Sequence, residues 1–347
     1  MDVDAGDARS VAVGFAAGLA VLVGLYSVVG LGDVAAALSR ADPVVVAGVG
    51  VVAVGWLTAW SLALRTVLGV IAVEVSVRQA FLLFAGATFA NNVTPFGQAG
   101  GEPFSALLVS RSTGVPYEKG LAAVASVDTL NFVPSVSFAL VGVGYYATRF
   151  TVGERVEFAV LALAALALGI PAAAYLAWRS RDGVASLAVG LLVPVSRALG
   201  RVVPSADTPD EAGVRRRIEG FFAALERVAD DRRGLAVALA FSALGWLLLS
   251  SSLWLSLLAL GHAVPFAAAL FIVPLGSVAG VTPLPGGLGG VEAALVLLVV
   301  PVAGVDPATA GAAAVIHRGA TYWFPILLGA SATAMLGANG ALESASD

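Results

Sequence analysis

Apolar residues run with little interruption over Val11 to Leu31, Pro43 to Leu64, Gly120 to Thr148, Phe158 to Trp178, Gly234 to Leu260 and Pro307 to Leu336. Each run reaches about twenty residues or more, the length a helix needs to cross a ~30 Å hydrocarbon layer. The pattern therefore predicts about six full transmembrane helices. Two further stretches, Gln79 to Ser110 and Val264 to Val302, are equally apolar but are broken near their middles by proline and glycine. Proline removes a backbone donor and glycine relaxes the chain, so each stretch reads as two short helical arms around a break.

The two broken stretches resemble one another. "FLLFAGATFANNVTPFGQAGGEPFSALLV" from Phe81 and "FIVPLGSVAGVTPLPGGLGGVEAALVLLV" from Phe271 both pass from an apolar arm into Val-Thr-Pro, a Gly pair, a Glu and a second apolar arm. Thr94 and Pro95 match Thr282 and Pro283, and Gly100, Gly101 and Glu102 match Gly289, Gly290 and Glu292. Pro285, Gly286 and Gly287 extend the second break. This ordered match implies an internal repeat, the first copy spanning about 43–148 and the second about 234–336, within a single domain over 1–347.

Sidedness follows from the basic residues. If the N-terminus is cytoplasmic and each broken stretch returns to the side it came from, fifteen of the nineteen Lys and Arg fall inside, ten of them between Arg179 and Arg233. Only Arg40, Arg149 and Arg155 then fall outside, as the positive-inside rule requires. Both termini are expected in the cytoplasm. The same arithmetic sends the second broken stretch into the membrane from the face opposite the first, so the repeats are inverted. Non-helical backbone survives at membrane depth only where protein or a water-filled cavity satisfies it. Opposed broken helices meeting near the midplane are a transporter arrangement with the substrate between them.

Composition narrows the class. Of 347 residues, 59% are hydrophobic and 12% charged, with a mean hydropathy of +0.93. No formal charge lies between Arg233 and Glu292, which no ordinary soluble domain tolerates. The first apolar run lacks a basic leader and is too long for a signal h-region, so it is expected to be a retained helix. The chain has no cysteine and two histidines, so thiolate chemistry and a metal-ligand cluster are excluded and no cofactor is expected.

Charge at depth supplies the candidate site. Arg318 falls about eleven residues into the last run, roughly 16 Å deep, where an arginine needs a partner. The candidates are Asp128, Glu292 and Glu102. Such an arginine either fixes packing as a buried pair or binds an anion, and its planar fork suits a phosphate. Glu292 and Glu102 each sit in the first turn of an arm, where a carboxylate also complements the helix dipole. Asn91, Asn92, Gln98 and Asn131 can line a headgroup path or hydrogen-bond the broken backbone. His317 adjoins Arg318 but points about 100° away on a helix.

Between Asp207 and Asp231, Val214, Ile218, Phe221, Phe222, Leu225 and Val228 recur at helical spacing beside Arg215, Arg216 and Arg217. This amphipathic helix either lies on the membrane surface or docks on the protein's own loops. With eight acids against ten bases over Arg179 to Arg233, it is not a nucleic-acid binder.

"TPFGQAGGEPFSALLVSRSTG", "TPLPGGLGGVEAALV" and "HRGATYWFPILLG" resemble the flippase-like transmembrane family that includes the membrane domain of lysylphosphatidylglycerol synthase. The resemblance implies a translocase that moves a phosphate-bearing lipid, such as an aminoacylated phospholipid or a polyprenyl-phosphate-linked sugar, between the leaflets of the cell membrane. It also implies a separate lipid-modifying or glycosylation enzyme as a partner. The chain stops eleven residues after its last apolar run, so the synthase activity is not expected here. An enzyme is disfavoured by the absence of His-Glu-x-x-His and Asp-Gly-x-x-Ala-Arg patterns. A secondary transporter of a small anionic solute is the alternative. No Gly-x-x-x-x-Gly-Lys motif is present, so any driving force is expected to come from the membrane potential or an ion or proton gradient.

Overall fold

The computed structural model describes residues 5–149, scattered positions between 169 and 190, and residues 211–344. The expected span Phe158 to Trp178 and the chain from there to 210 lie almost wholly outside the described residues. Those described are helical: α1 (Ala5–Val29), α2 (Leu31–Ser39), α3 (Pro43–Val70), α4 (Val77–Val93), α5 (Gln98–Thr113), α6 (Tyr117–Arg149), α7 (Glu211–Asp230), α8 (Arg232–Ala259), α9 (Phe266–Val278), α10 (Gly290–Ala303), α11 (Pro307–Arg318) and α12 (Phe324–Ser344). Among the described residues five segments are long and apolar enough to cross a membrane, at Ala12–Val29, Pro43–Val70, Tyr117–Tyr146, Arg232–Ala259 and Pro285–Ala303. The chain is an all-α polytopic membrane protein.

Local chemistry fixes the helix ends. Asp42 caps α3 by accepting from Val44 N at 2.8 Å, with Pro43 in the first turn where its missing N–H costs nothing. Ser76 caps α4 and Asp231 caps α8 in the same way. Gly30 at φ 100° divides α1 from α2 at the end of the first apolar run, whose last residue, Leu31, begins α2. The last run is also divided. A π-helical turn at Gly319–Trp323 separates α11 from α12 immediately after Arg318, and such turns are frequent at functional sites.

Both broken stretches fold as helical hairpins. In the first, α4 and α5 pack together around the tip Thr94 to Gly97, and Gln79 Nε2 donates to Ser112 O at 3.0 Å across the open end. In the second, α9 and α10 pack together around a tip holding a 3-10 turn at Pro285–Gly287. The long helix α6 orients them. Its Gly120 packs on Ala106 and Ser110 near the open end of the first hairpin. Its other end meets the open end of the second: Gly142 lies against Ala267 and Phe271, and Tyr146 Oη donates to Val302 O at 3.0 Å. Gly120 and Tyr146 are about 39 Å apart at 1.5 Å per residue, so the hairpins approach from opposite ends of α6, as the inverted repeat requires. Their tips meet, with Gly97 against the carbonyl of Gly280.

Packing is reciprocal between the halves. The leading helices α3 and α8 lie along one another; α4 packs on α12 from the other half, and its counterpart α9 packs on α6. Trp60 rests on Gly245 and donates to Ser242 O at 3.1 Å, with Trp56 and Trp246 edge-on at 5.5 and 5.6 Å. α7 buries Val214, Ala224 and Val228 beneath α6 and α3. Of the two readings of this amphipathic helix, docking on the protein itself is the one observed.

Candidate functional site

Arg318 and Glu292 form a buried ion pair where the second hairpin tip meets the π turn. Arg318 ends α11, about 17 Å from Pro307 by helical rise. Its Nε donates to Glu292 Oε1 at 2.7 Å and its Nη2 to the carbonyl of Gly286 at 3.1 Å. The residues are 9% and 2% exposed, so water does little to screen the pair. Glu292 is the third residue of α10, and its Oε2 accepts from Gly289 N at 2.7 Å, the return half of a capping box. Tyr322, one turn on, carries the guanidinium over its ring at 4.2 Å. Its hydroxyl stands 3.1 Å from Pro285 O and 3.3 Å from Asn92 O, joining the second tip to the first hairpin. Arg318 Nη1 makes no hydrogen bond among the described residues.

The break residues divide by position. Thr94 ends α4, its Oγ1 donating to Ala90 O at 2.7 Å, and Pro95, Phe96 and Gly97 turn the chain. Gly100 and Gly101 belong to the first turn of α5 rather than to the break. They are glycines because a Cβ would strike Pro95 O at Gly100 and Asn91 at Gly101. Thr282 and Pro283 lie in irregular chain; Pro285, Gly286 and Gly287 make the 3-10 turn; Gly289 caps α10 at φ 84° and Gly290 starts it. Gly286, at φ 52°, leaves no room for a Cβ between Tyr322 and Asn92.

Of the candidate partners for Arg318, only Glu292 reaches it. Asp128 and Glu102 instead face each other beside the first hairpin, and Asn91 and Asn92 line that same region. Gln98 opens α5, and its side chain lies outside the described residues. Asn131 is a packing residue: its Oδ1 accepts from Ser242 Oγ at 2.6 Å and its carbonyl from Trp246 Nε1 at 2.7 Å. His317 turns away from the pair to Ser252 Oγ at 2.9 Å. Tyr322 was not singled out by the sequence, though its spacing of four from Arg318 places it on the same helical face.

Two features frame the site. α1 lies over the second tip through Gly14 on Pro285 and Gly18 on Leu288, and Tyr26 Oη reaches Gly311 O at 3.4 Å. At the tips, Phe96 and Val281 are 54% and 74% exposed. At the head of α11, outside the apolar span, Asp306 accepts from Thr309 Oγ1 at 2.6 Å and from Ala308 N and Thr309 N at 3.0 Å. These bonds, the Thr309 hydroxyl first, hold its carboxyl below the ordinary value. A depressed folded value means stabilisation present above the unfolded value near 3.9 and lost as pH falls through the folded one. Asp306→Ala is expected to lower stability by about 1 kcal/mol at neutral pH and to remove this acid-side loss, measured by thermal unfolding in detergent against pH.

Opposed re-entrant hairpins around a buried Arg–Glu pair define a polytopic helical membrane protein with a central polar site. Residues 11–329 match the family described as the lysylphosphatidylglycerol synthase TM region, and the chain belongs to it. It is 29% identical over 323 residues to a UPF0104 membrane protein of Methanothermobacter thermautotrophicus, covering 89% of this chain and 87% of that one. A second UPF0104 protein of that organism is 24% identical over 328 residues, covering 93% and 94%. One from Pyrococcus horikoshii is 26% identical over 247 residues, covering 70% and 72%.

Proposed function

We propose that the protein is a lipid translocase that carries a phosphate-bearing headgroup between leaflets, with Arg318 as the group that binds it. The observation that carries this reading is the Arg318–Glu292 pair at the meeting point of two hairpins that come in from opposite ends of α6. Glu292 occupies the guanidinium in the empty state. An incoming phosphate displaces it through two parallel N–H bonds, while Glu292 keeps its bond from Gly289 N. The exposed apolar tips Phe96 and Val281 favour a site open sideways to acyl chains, because exposed apolar side chains at bilayer depth are satisfied by lipid tails. Movement of the hairpins exposes the headgroup to one face and then the other.

On this reading the protein works in the cell membrane with both termini cytoplasmic, as a carrier and not an enzyme, beside a separate enzyme that makes the lipid. The experiment is headgroup accessibility in liposomes containing the purified protein. The lipid panel holds phosphatidylglycerol-type, amine-bearing and polyprenyl-phosphate sugar lipids. Selective movement of one class is the expected result. A folded protein that moves none of them sinks the assignment in favour of a soluble anion.

A further inference from the structure

The first hairpin has its own polar cavity, separate from the Arg318 pair. It measures about 120 Å³ and lies between α3, α4, α5 and α6, with Trp60, Leu64 and Phe84 among its apolar walls. Three of its polar atoms are shut off from solvent and have no hydrogen-bond partner among the described residues: Asp128 Oδ2, Asn91 Oδ1 and Asn92 Nδ2. Buried polar atoms are normally paired, so three orphans on one cavity mark a place where something binds. The volume decides what. A single water occupies about 10–15 Å³ on this measure, whereas sites for drug-sized ligands span about 300–1,000 Å³. The cavity has room for several waters but not for a lipid headgroup.

Asp128 sits about 17 Å into α6 by helical rise, and its interacting neighbour is the carboxyl of Glu102. Two carboxyl groups brought together away from water repel one another unless one of them carries a proton. Among the described residues no cation is placed to replace that proton. On α3, Arg65 is turned to Val75 O at 2.9 Å. α4 has no ionisable side chain beyond Arg78, α8 none beyond Arg233, α9 none, and α12 none before Glu343. On α5 the remaining charge is Arg111, in its last turn. On α6 the other ionisable groups are Tyr117, which interacts with Glu102, Glu118 and Lys119 beside it, Glu118 lying against Gly220 of α7, and Tyr145, Tyr146 and Arg149 at the far end of the helix. Arg318 is engaged with Glu292 beyond Asn92 and Tyr322. A metal cation is a poorer fit, since it wants a shell of oxygens. Here the Asn92 amide presents N–H groups to the cavity.

We propose that Glu102 and Asp128 form a proton-binding site whose occupancy is coupled to movement of the first hairpin. The step is a proton transfer alone: an O–H bond forms on a carboxylate oxygen with a proton from water on one face, and the proton returns to water on the other. Glu102 rides on the hairpin and Asp128 on α6, so displacement of α5 separates the pair and exposes the proton. The site stands on the cavity; its use in transport rests on the translocase reading.

Two measurements test it separately. Infrared difference spectra of the purified protein are expected to show the carbonyl band of a protonated carboxylic acid at neutral pH, lost in both Asp128→Asn and Glu102→Gln, each checked for folding by size exclusion. A wild type without that band overturns the site, whether or not lipid moves. In liposomes, a one-unit pH gradient is expected to drive about a tenfold lipid asymmetry for one proton per lipid. Asp128→Asn is expected to keep Arg318-dependent movement and lose the response to pH. Lipid movement that ignores the pH gradient, or follows a sodium gradient instead, overturns the coupling. Absence of lipid movement in the wild type fails the translocase reading, while the band still decides the site.

Discussion

Arg318→Ala is expected to abolish lipid movement and also to destabilise the fold. The second effect follows from the geometry. Removing the guanidinium leaves the Glu292 carboxylate 2% exposed with the Gly289 amide as its remaining donor, and leaves Gly286 O without its bond. Breaking a buried pair on one side costs about 3–5 kcal/mol, so a lower unfolding temperature in detergent accompanies the lost activity. Glu292→Gln in the same chain removes the stranded charge and is expected to restore much of the stability without restoring transport. The double variant thus separates binding from folding. Lipid movement at wild-type rate in that folded double variant would remove Arg318 from the site.

The second large effect is expected at Gly142 and Gly329. These glycines do the same work in opposite halves. Gly142 lets α6 lie on α9, where a Cβ would come 2.7 Å from both Ala267 O and Phe271 Cβ. Gly329 lets α12 lie on α4, where a Cβ would strike Ala85 O and come 2.5 Å from Phe89 Cβ. Small residues that admit close helix approach are a main means of association inside a bilayer. The atoms in the way are backbone oxygens, which cannot step aside without moving a helix. Gly142→Val and Gly329→Val are each expected to cost about 1–3 kcal/mol or more, read as earlier unfolding and reduced yield of monodisperse protein. An unchanged unfolding temperature in both would show that the helices do not sit this close.

The hairpins were legible because proline and glycine stand out against an apolar background. Thr94-Pro95 and Thr282-Pro283 mark both tips, and the Gly pair followed by a Glu, Gly100-Gly101-Glu102 against Gly289-Gly290-Val291-Glu292, set the register. The partner of Arg318 was not legible. Glu292, Glu102 and Asp128 are all acids at comparable depth, and only the three-dimensional crossing of α10 and α11 selects one. The sequence placed Gly100 and Gly101 in the break, yet they begin α5, because a glycine needed for close packing and one needed for a turn look alike in a string of letters. The π turn in "GATYW" has no compositional signature. The amphipathic α7 could not be assigned a neighbour either, since one apolar face suits a membrane surface and a protein surface equally.

The contact between the tips, Gly97 on the carbonyl of Gly280, is made by backbone against backbone with no side chain between. Side chains can fold away independently of the chain that carries them; backbone cannot. Neither hairpin can therefore shift far along the membrane normal without the other yielding, and the barrier facing one compartment is mechanically tied to the barrier facing the other. In a carrier built this way, leak-tightness belongs to the joint itself: no separate plug is required to keep small ions from leaking while a lipid is in transit.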